Sequence, residues 1–350
     1  MRHPTHRGVM RRSVGFITAT VMVLGLFGPA TAGPTLGKRA RVAAGYVASQ
    51  QNEDGSFPGF SPLGSTSDAI LSLVAVRRGP RAIEEGLDFL EANVAEADTI
   101  GEKAKLVMAA VAGGRDPRNF GGENLVQQIL DSEQQNGRYG ATTEVFNHAL
   151  AILALVAAPG ADPSSNALTW LIEAQCGDGG WQFDEPQRQN ENEHCQNPQD
   201  PNDFFQSDTN TTSYAVQAIA AHPQATAPLE KSPFRFFRQI RDPEKNGWGF
   251  DRAFNLTDAN STALVIQAFA AFGKRLPAGA MKALTRLQYR LCGQKRGAFA
   301  RSYEQREDGT YKKTPPDPGA TIGAILGLLK EPLPVEPATV TRPVPRATAC

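Results

Sequence analysis

A short turn element recurs along this chain of 350 residues. Each copy contains a glycine followed by an aromatic residue, and the copies read NEDGSF, QQNGRY, CGDGGW, EKNGWGF and QKRGAF. The glycines that mark them are Gly55, Gly137, Gly179, Gly247 and Gly297. The spacing fits a period of about 42 residues if one unit near residue 97 lacks the element and an insertion of about 26 residues follows Gly179. A fixed period of this length is typical of repeat architectures.

Helical patterns lie before and after each turn. Before the second turn position, Ile83, Leu87, Leu90 and Val94 share one face at the spacing of an amphipathic helix. After each turn the sequence is apolar nearly all round, as in residues 146–158, which is typical of a helix buried on every side. We therefore predict an all-α chain of six helix pairs, with approximate spans 35–51 and 65–77, 80–95 and 100–113, 121–135 and 144–158, 164–176 and 208–222, 231–241 and 258–273, and 278–292 and 318–329.

Each pair consists of an amphipathic outer helix and a buried inner helix. An open stack of such pairs would be a solenoid. Because the inner helices are apolar on all sides, we predict instead that the six hairpins close into an (α/α)6 toroid, with an inner and an outer helix ring. The inner helices then run parallel around a central funnel, and this domain occupies residues 33–330.

Two of the turns carry a glutamine ahead of the glycine. They read Gln175-x-x-x-Gly179-x-Trp181 and Gln51-x-x-x-Gly55-x-Phe57. These elements resemble the QW repeats of terpene cyclases, and the array over residues 35–330 is similar to the terpenoid cyclase/prenyltransferase toroid superfamily (squalene cyclase repeats). The superfamily also includes secreted cobalamin carriers related to intrinsic factor. The resemblance implies the toroid fold and leaves enzyme and carrier functions open, while the turns themselves are interpreted as scaffold.

The inner helices align on one position, which is Thr in four of them. The aligned residues are Thr66, Lys103, His148, Thr212, Thr262 and Thr321. Four residues earlier, acids precede the third to sixth inner helices, namely Glu144, Asp208, Asp258 and Asp317. Two residues before the Thr position stand, among others, Asn210 and Asn260. Because the inner helices are parallel, all these residues are expected on one rim of the funnel.

Two interpretations of the rim are open. Asp and Asn cap helices by accepting hydrogen bonds from free N–H groups of the first turn, and acids also oppose the helix dipole. Alternatively, rim acids that lie close together raise one another's pKa, as an acid catalyst requires. The candidate catalytic residues are Asp208, Glu144 and His148, and none is assigned firmly. Glu144 and His148 stand one helical turn apart as an acid–base pair or as a buried, structurally paired histidine.

The motif of class II terpene cyclases is incomplete in this chain. The resemblance aligns an Asp-x-Asp-Asp-Thr signature on Thr212, which places Asp208, Asn210 and Thr211 where the family has aspartates. The proton-donating middle aspartate is therefore Asn210, and an amide cannot donate that proton. Asn260 shows the same departure in the next unit. This argues against class II cyclisation and towards a protein that is not an enzyme.

Other catalytic and metal sets are absent from the sequence. No cysteine lies on the rim, no diphosphate–magnesium motif of the DDxxD type occurs, and His and Cys show no metal-site spacing. Acids in the insertion suggest a calcium loop, but without a spaced motif a solvated lid is the preferred interpretation. We predict no cofactor and no metal. Formal charge is balanced and no basic stripe occurs, so no nucleic-acid partner is expected.

The N-terminus has the pattern of an export signal. Four arginines precede the apolar run Val14 to Phe27, and Ala30-Thr31-Ala32 follows it, so residues 1–32 are predicted to be a signal peptide. A retained membrane anchor is the alternative, although the run is short for a span. Export makes the four cysteines candidates for disulfides, and four cysteines allow three connectivities, among which the sequence does not choose. Because Cys176 and Cys195 flank the insertion, we predict a bridge between them, and Cys292–Cys350 would complete the set.

The last segment, residues 331–350, holds five prolines and is expected to be an extended tail or linker. Together these features predict a monomeric protein, secreted or associated with the cell envelope, that binds a small hydrophobic or cofactor-like ligand. The expected ligand-binding residues are Glu144, His148, Asp208, Asn210, Tyr214, Asp258, Asn260 and Asp317. The alternatives are a divergent terpene cyclase, another toroid enzyme that uses two rim carboxylates, and a cell-surface scaffold with the tail as spacer.

Overall fold

The computed structural model describes residues 34–186, 195, 206–225, 229–289, 293 and 295–345. The predicted signal peptide, Cys292 and Cys350 lie outside this range, and so does most of the insertion after Trp181. The described residues form twelve α-helices, numbered in chain order as α1 (Pro34–Ala48), α2 (Pro62–Val76), α3 (Pro80–Ala92), α4 (Ile100–Ala112), α5 (Leu125–Asp131), α6 (Val145–Ala157), α7 (Ser165–Glu173), α8 (Thr209–Ala221), α9 (Pro233–Gln239), α10 (Ala259–Ala271), α11 (Ala280–Leu287) and α12 (Pro318–Leu329).

The even-numbered helices form a closed inner ring. Each packs against the next one in the series, and α12 packs back against α2. The odd-numbered helices lie outside this ring and bury one face, as α3 does with Ile83, Leu87 and Leu90. Inner helices such as α6 are buried along most of their length because they contact neighbours on several sides. The structure thus confirms the predicted α/α toroid of six hairpins.

Glutamines tie the turns to the outer helices. The Nε2 group of Gln51 donates to the carbonyl of Gly55 in its own turn and to that of Ala82 in α3, both at 2.9 Å. Gln288 makes the corresponding bond to the carbonyl of Arg39 in α1, at 3.1 Å. This second bond joins the last unit of the toroid to the first, so the QW-like elements act here as clamps between units.

The Thr position of the inner helices fixes the aromatic residue of each turn. The backbone N–H of Trp181 donates to Oγ1 of Thr212 at 2.9 Å, and Trp181 itself is fully buried. The same bond joins the pairs Phe57–Thr66, Trp248–Thr262 and Phe299–Thr321. The repeated threonines therefore belong to the scaffold, because each satisfies a buried N–H group that would otherwise lack a partner.

The turn of the fifth hairpin, between α9 and α10, departs from the predicted register. Asn246, with φ of 68°, adopts the left-handed conformation, and Gly247 stands directly before the aromatic Trp248. Gly247, the residue predicted to mark this turn, lies one position after the left-handed residue, so the predicted marker is off by one. Asparagine tolerates the left-handed region better than most residues other than glycine, which explains the substitution.

Four short β-strands lie between α11 and α12. Strands β1 (Phe299–Ala300), β2 (Tyr303–Gln305), β3 (Tyr311–Lys313) and β4 (Pro316–Asp317) form two antiparallel pairs, β1 with β4 and β2 with β3. The helical periodicity did not indicate these strands. An Asp308-Gly309 turn between β2 and β3 is the sequence signal that marks them, since this dipeptide favours tight hairpins.

The Pro-rich segment after α12 folds back onto the toroid. Leu333 and Val335 are buried, and the N–H of Leu333 donates to Oε1 of Gln217 at 2.9 Å. Further along, the carbonyl of Arg342 accepts from the N–H of Gly79 at 2.9 Å. The segment is extended, as expected, but through residue 345 it packs against the helices and is not a free spacer.

Candidate functional site

A cavity of about 470 Å³ lies inside the inner ring. It opens to solvent beside Phe60 and Arg301, which are exposed, and Leu333 lines its other end. The residues that line it form three layers at helical spacing. The rim layer contains Phe146, Asn210, Asn260 and Gly319, and the middle layer contains Asp68, Tyr214, Leu264 and Gly323. The deep layer contains Leu71, Gln267 and Leu326. The glycines on α12 leave the room that larger side chains would fill.

Half of the predicted ligand-binding residues line this cavity. They are Asn210, Tyr214, Asn260 and Asp317. Asn210 and Asn260 occupy equivalent places on α8 and α10, and Oδ1 of Asn210 accepts from the hydroxyl of Ser261 at 3.1 Å. Tyr214 lies one turn deeper, and its ring contacts that of Phe146 edge to face. The other four predicted residues, Glu144, His148, Asp208 and Asp258, are not among the side chains that line the cavity.

His148 contacts the outer layer of the toroid. Its Nδ1 accepts from the N–H of Tyr139 and its Nε2 donates to the carbonyl of Ala167, both at 3.0 Å. Burial lowers the pKa of His148 to about 3, so the ring is neutral. Both nitrogens are used by backbone groups, and His148 therefore replaces the threonine of the other units instead of pairing with Glu144. The Glu144 carboxylate accepts from the side chains of Thr142 and Asn147.

The rim aspartates cap their own helices. One oxygen of Asp208 accepts from the N–H groups of Asn210 and Thr211, at 2.9 and 2.8 Å. Asp258 accepts from the N–H of Ser261 at 2.7 Å, and Asp317 caps α12 in the same way. Carboxylates held by their helix termini in this way act as N-caps.

Burial, and not a neighbouring rim acid, perturbs these carboxyl groups. Burial raises the pKa of Asp208 to about 7, with a smaller contribution from the charge of Asp251. Burial likewise raises the pKa of Asp258 to about 6, which the nearby Arg301 partly offsets. Of the two interpretations of the rim, capping therefore applies to these two acids, and neither pKa is raised by another rim acid.

Asp68, Gln267 and Arg301 line the cavity but were not predicted from the sequence, and neither was Lys105, which pairs with Asp68. Asp68 on α2 forms an ion pair with Lys105 on α4, with Nζ and Oδ2 at 2.6 Å. Burial disfavours the Lys105 charge, but Asp68 overrides this and the pKa of Lys105 rises to about 12. Gln267 lies in the deep layer and Arg301 at the mouth. Asp68, Lys105 and Gln267 stand two or five residues after the aligned Thr position, so extending the alignment into the helices would have found them.

Cys176 and Cys195 form the predicted disulfide, with an S–S distance of 2.11 Å. The N–H of Cys195 donates to Oε1 of Gln182 at 2.7 Å, which fixes this point of the insertion near Trp181. Most of the predicted lid, the insertion between Trp181 and Ser207, falls on residues 187–194 and 196–205, which lie outside the described residues. No helix in the described part of the chain has the length and apolar character that crossing a bilayer requires.

Comparison with known proteins places the chain by fold. No family model and no curated protein matches it. Among solved structures, it is similar to the type II terpene cyclase MstE from Scytonema, with 13% identity, a TM-score of 0.53, and 84% of this chain and 97% of that chain covered. It is similar to the α-1,6-mannanase GH76A of Salegentibacter sp. HEL1_6, with 11% identity, a TM-score of 0.51, and 85% and 98% covered.

A third neighbour is the unsaturated glucuronyl hydrolase from Streptococcus agalactiae, with 10% identity, a TM-score of 0.55, and 86% and 92% covered. The mannanase structure is that of an inactive variant in which two aspartates are replaced. At such low identity the likeness shows the fold alone. The chain has the α/α toroid fold that these three proteins share.

Proposed function

We propose that this protein binds a small, largely apolar ligand in the central funnel and does not transform it. The observation that carries the proposal is that two of the rim acids cap helices and do not line the cavity. Asp208 and Asp258 cap their helices, while the cavity beside them is lined mainly by uncharged polar and apolar side chains, with Arg301 and Asp317 at its rim and Asp68, which pairs with Lys105, deeper inside. Its volume of about 470 Å³ is in the range of pockets that hold small molecules.

The chemistry of the rim supports binding over cyclisation. Asn210 and Asn260 line the cavity where a class II cyclase needs a carboxylic acid, and an amide cannot protonate an alkene or an epoxide. Asp208 has a raised pKa, but its side chain is buried away from the cavity lining. At these two rim positions a ligand in the funnel would therefore meet amide groups and not a carboxylic acid.

An enzyme remains the second candidate, favoured by the three solved neighbours, whose names are those of enzymes. Asp317 is the rim acid that lines the cavity, with Arg301 also in the lining, so a toroid enzyme would have to use this side chain. A scaffold function is less favoured, because the described part of the funnel is hollow rather than filled by side chains.

Native mass spectrometry of protein purified from its host tests the proposal directly. We expect a retained small molecule that dissociates on unfolding. In parallel, wild-type protein is incubated with squalene, oxidosqualene, prenyl diphosphates, α-1,6-mannan and an unsaturated glucuronide. The proposal requires no product, and neither Asn210→Asp nor Asn260→Asp creates cyclase activity. Turnover by the wild type that is lost in Asp317→Asn would make the protein an enzyme.

We also propose export of the mature chain. The disulfide supports it, because such bridges persist in oxidising compartments. N-terminal sequencing of secreted material is expected to begin at Gly33, and a start at Met1 would contradict this.

A further inference from the structure

Two glutamines occupy the same place on neighbouring inner helices. Gln217 on α8 and Gln267 on α10 each stand five residues after the aligned threonine, and both are almost fully buried. Each Nε2 group donates to the carbonyl four residues earlier, that of Ser213 at 3.2 Å and that of Ala263 at 3.3 Å. Because a carbonyl can only accept, this bond fixes the amide orientation and turns each Oε1 away from its own helix.

The two Oε1 atoms differ in what they accept. Oε1 of Gln217 accepts from the backbone N–H of Leu333, so the folded-back tail supplies its donor. Oε1 of Gln267 is buried and has no hydrogen-bond partner among the described residues, although Gln267 lines the funnel cavity. A buried acceptor without a donor is unfavourable, and native proteins contain few of them. At the equivalent Gln217, one donor is enough to satisfy the amide oxygen, and that donor is the backbone N–H of an apolar residue, Leu333.

The residues around Gln267 indicate what kind of molecule could carry such a donor. Leu71, Leu264, Leu326 and Leu333 line the cavity with it, so the group that reaches Oε1 is embedded in apolar contacts. The charges of the middle layer are already paired, since Lys105 binds Asp68. A charged group at this depth would lose its hydration without gaining a free counter-charge, which is costly.

We propose that the funnel binds a neutral molecule with an apolar body and one hydroxyl or amide N–H group that donates to Oε1 of Gln267. This inference rests on the proposed ligand-binding function. The apolar body lies against the leucines of the middle and deep layers, and the donor takes the place at α10 that the N–H of Leu333 takes at α8.

Two matched pairs of probes test the assignment by isothermal titration calorimetry. The first pair is octan-1-ol and 1-methoxyoctane, and the second is N-methyloctanamide and N,N-dimethyloctanamide. In each pair only the first member carries a donor, and the two pairs distinguish a hydroxyl from an amide N–H. For wild-type protein we expect the donor member of at least one pair to bind about three- to tenfold more tightly than its partner, as the loss of one neutral hydrogen bond implies.

Two variants localise the effect. Gln267→Leu removes the acceptor and an unsatisfied polar group, so it is expected to fold and to bind both members of each pair equally. Gln127→Leu, the same substitution at an exposed position of α5 outside the cavity, keeps the preference for the donor. Equal affinities in the wild type, or a preference that survives in Gln267→Leu, would overturn the role of Gln267 while leaving ligand binding intact. If no probe binds, the apolar ligand class is wrong, whereas the proposed function itself fails only if native mass spectrometry also finds nothing bound.

Discussion

Asp208 caps α8 with one carboxylate oxygen and leaves the other buried without a partner among the described residues. The cap stabilises the helix terminus, but burial makes the negative charge expensive. The same residue therefore favours folding through its hydrogen bonds and opposes it through its charge. The balance between the two depends on pH.

The folded protein holds a proton on Asp208 that the unfolded chain releases, because burial raises the pKa from 3.8 to about 7. Its contribution to stability is fully present below about pH 3.8 and is lost as the pH rises through about 7. Asp208→Asn keeps a capping acceptor and removes the charge. We expect its free energy of unfolding to equal that of the wild type near pH 4 and to exceed it by about 1–3 kcal/mol near pH 8.

Denaturant unfolding at several pH values provides the measurement. Asp208→Ala serves as the control, since it also removes the charge but loses the cap, and it is expected to be less stable than Asp208→Asn by about 1 kcal/mol throughout. A difference between wild type and Asp208→Asn that does not change with pH would show that folding does not raise the pKa of the carboxyl group.

At the scale of the element, the repeated turns join neighbouring units through close backbone contacts. Gly297 has φ of 90°, and a Cβ atom there would lie 2.4 Å from the carbonyl oxygen of Val42 in α1. Together with the bond from Gln288 to Arg39, this contact closes the ring between the sixth hairpin and the first. The turn can approach α1 this closely only because the residue lacks a side chain.

Gly297→Ala is therefore expected to destabilise the protein by at least about 2 kcal/mol, because strain at positive φ adds to the steric conflict with α1. Gly309 in the β2–β3 turn is a matched control, since its φ is 78° and no atom lies within 4 Å of its would-be Cβ. Gly309→Ala should cost about 1–2 kcal/mol, the penalty of the backbone conformation alone. Equal losses in the two variants, measured by denaturant unfolding, would mean that the contact with α1 is dispensable.

At the scale of the whole molecule, the segment after α12 completes the toroid. Leu333 lines the funnel cavity and also a second cavity of about 360 Å³ between the tail and the C-terminal ends of the inner helices. One side chain thus separates two cavities, and Gln217 holds it in place through its backbone N–H. The tail therefore contributes to the lining at the deep end of the funnel, together with the helix ring.

Leu333→Ala is expected to lower the free energy of unfolding by about 2–3 kcal/mol, because it removes a buried side chain and joins the two cavities. Pro337→Ala, at an exposed position of the same segment, should change it by less than about 0.5 kcal/mol. Thermal and denaturant unfolding of both variants check the expectation. A Leu333→Ala protein as stable as the wild type would indicate that the segment only rests on the surface.

Much of the fold was predictable because its signals are local. The period of the turns and the two kinds of helical pattern identified all six hairpins, and the export-type N-terminus led to the Cys176–Cys195 bridge that the structure contains. Asn210, Tyr214, Asn260 and Asp317 were found by aligning the inner helices, since residues at equal positions of parallel helices share one level of the funnel.

The sequence by itself determined the repeat and the order of outer and inner helices. It also determined that Asn210 and Asn260 stand where a class II terpene cyclase has a proton-donating aspartate. Each of these depends on residue type and spacing along the chain. Only the tertiary structure decided which side chains face the funnel. His148 and Asp208 fit an active-site pattern, yet packing turns one towards Tyr139 and Ala167 and commits the other to its own helix. Gln217 and Gln267 are alike in sequence, and they differ only because Leu333, more than sixty residues further along, reaches one of them and not the other.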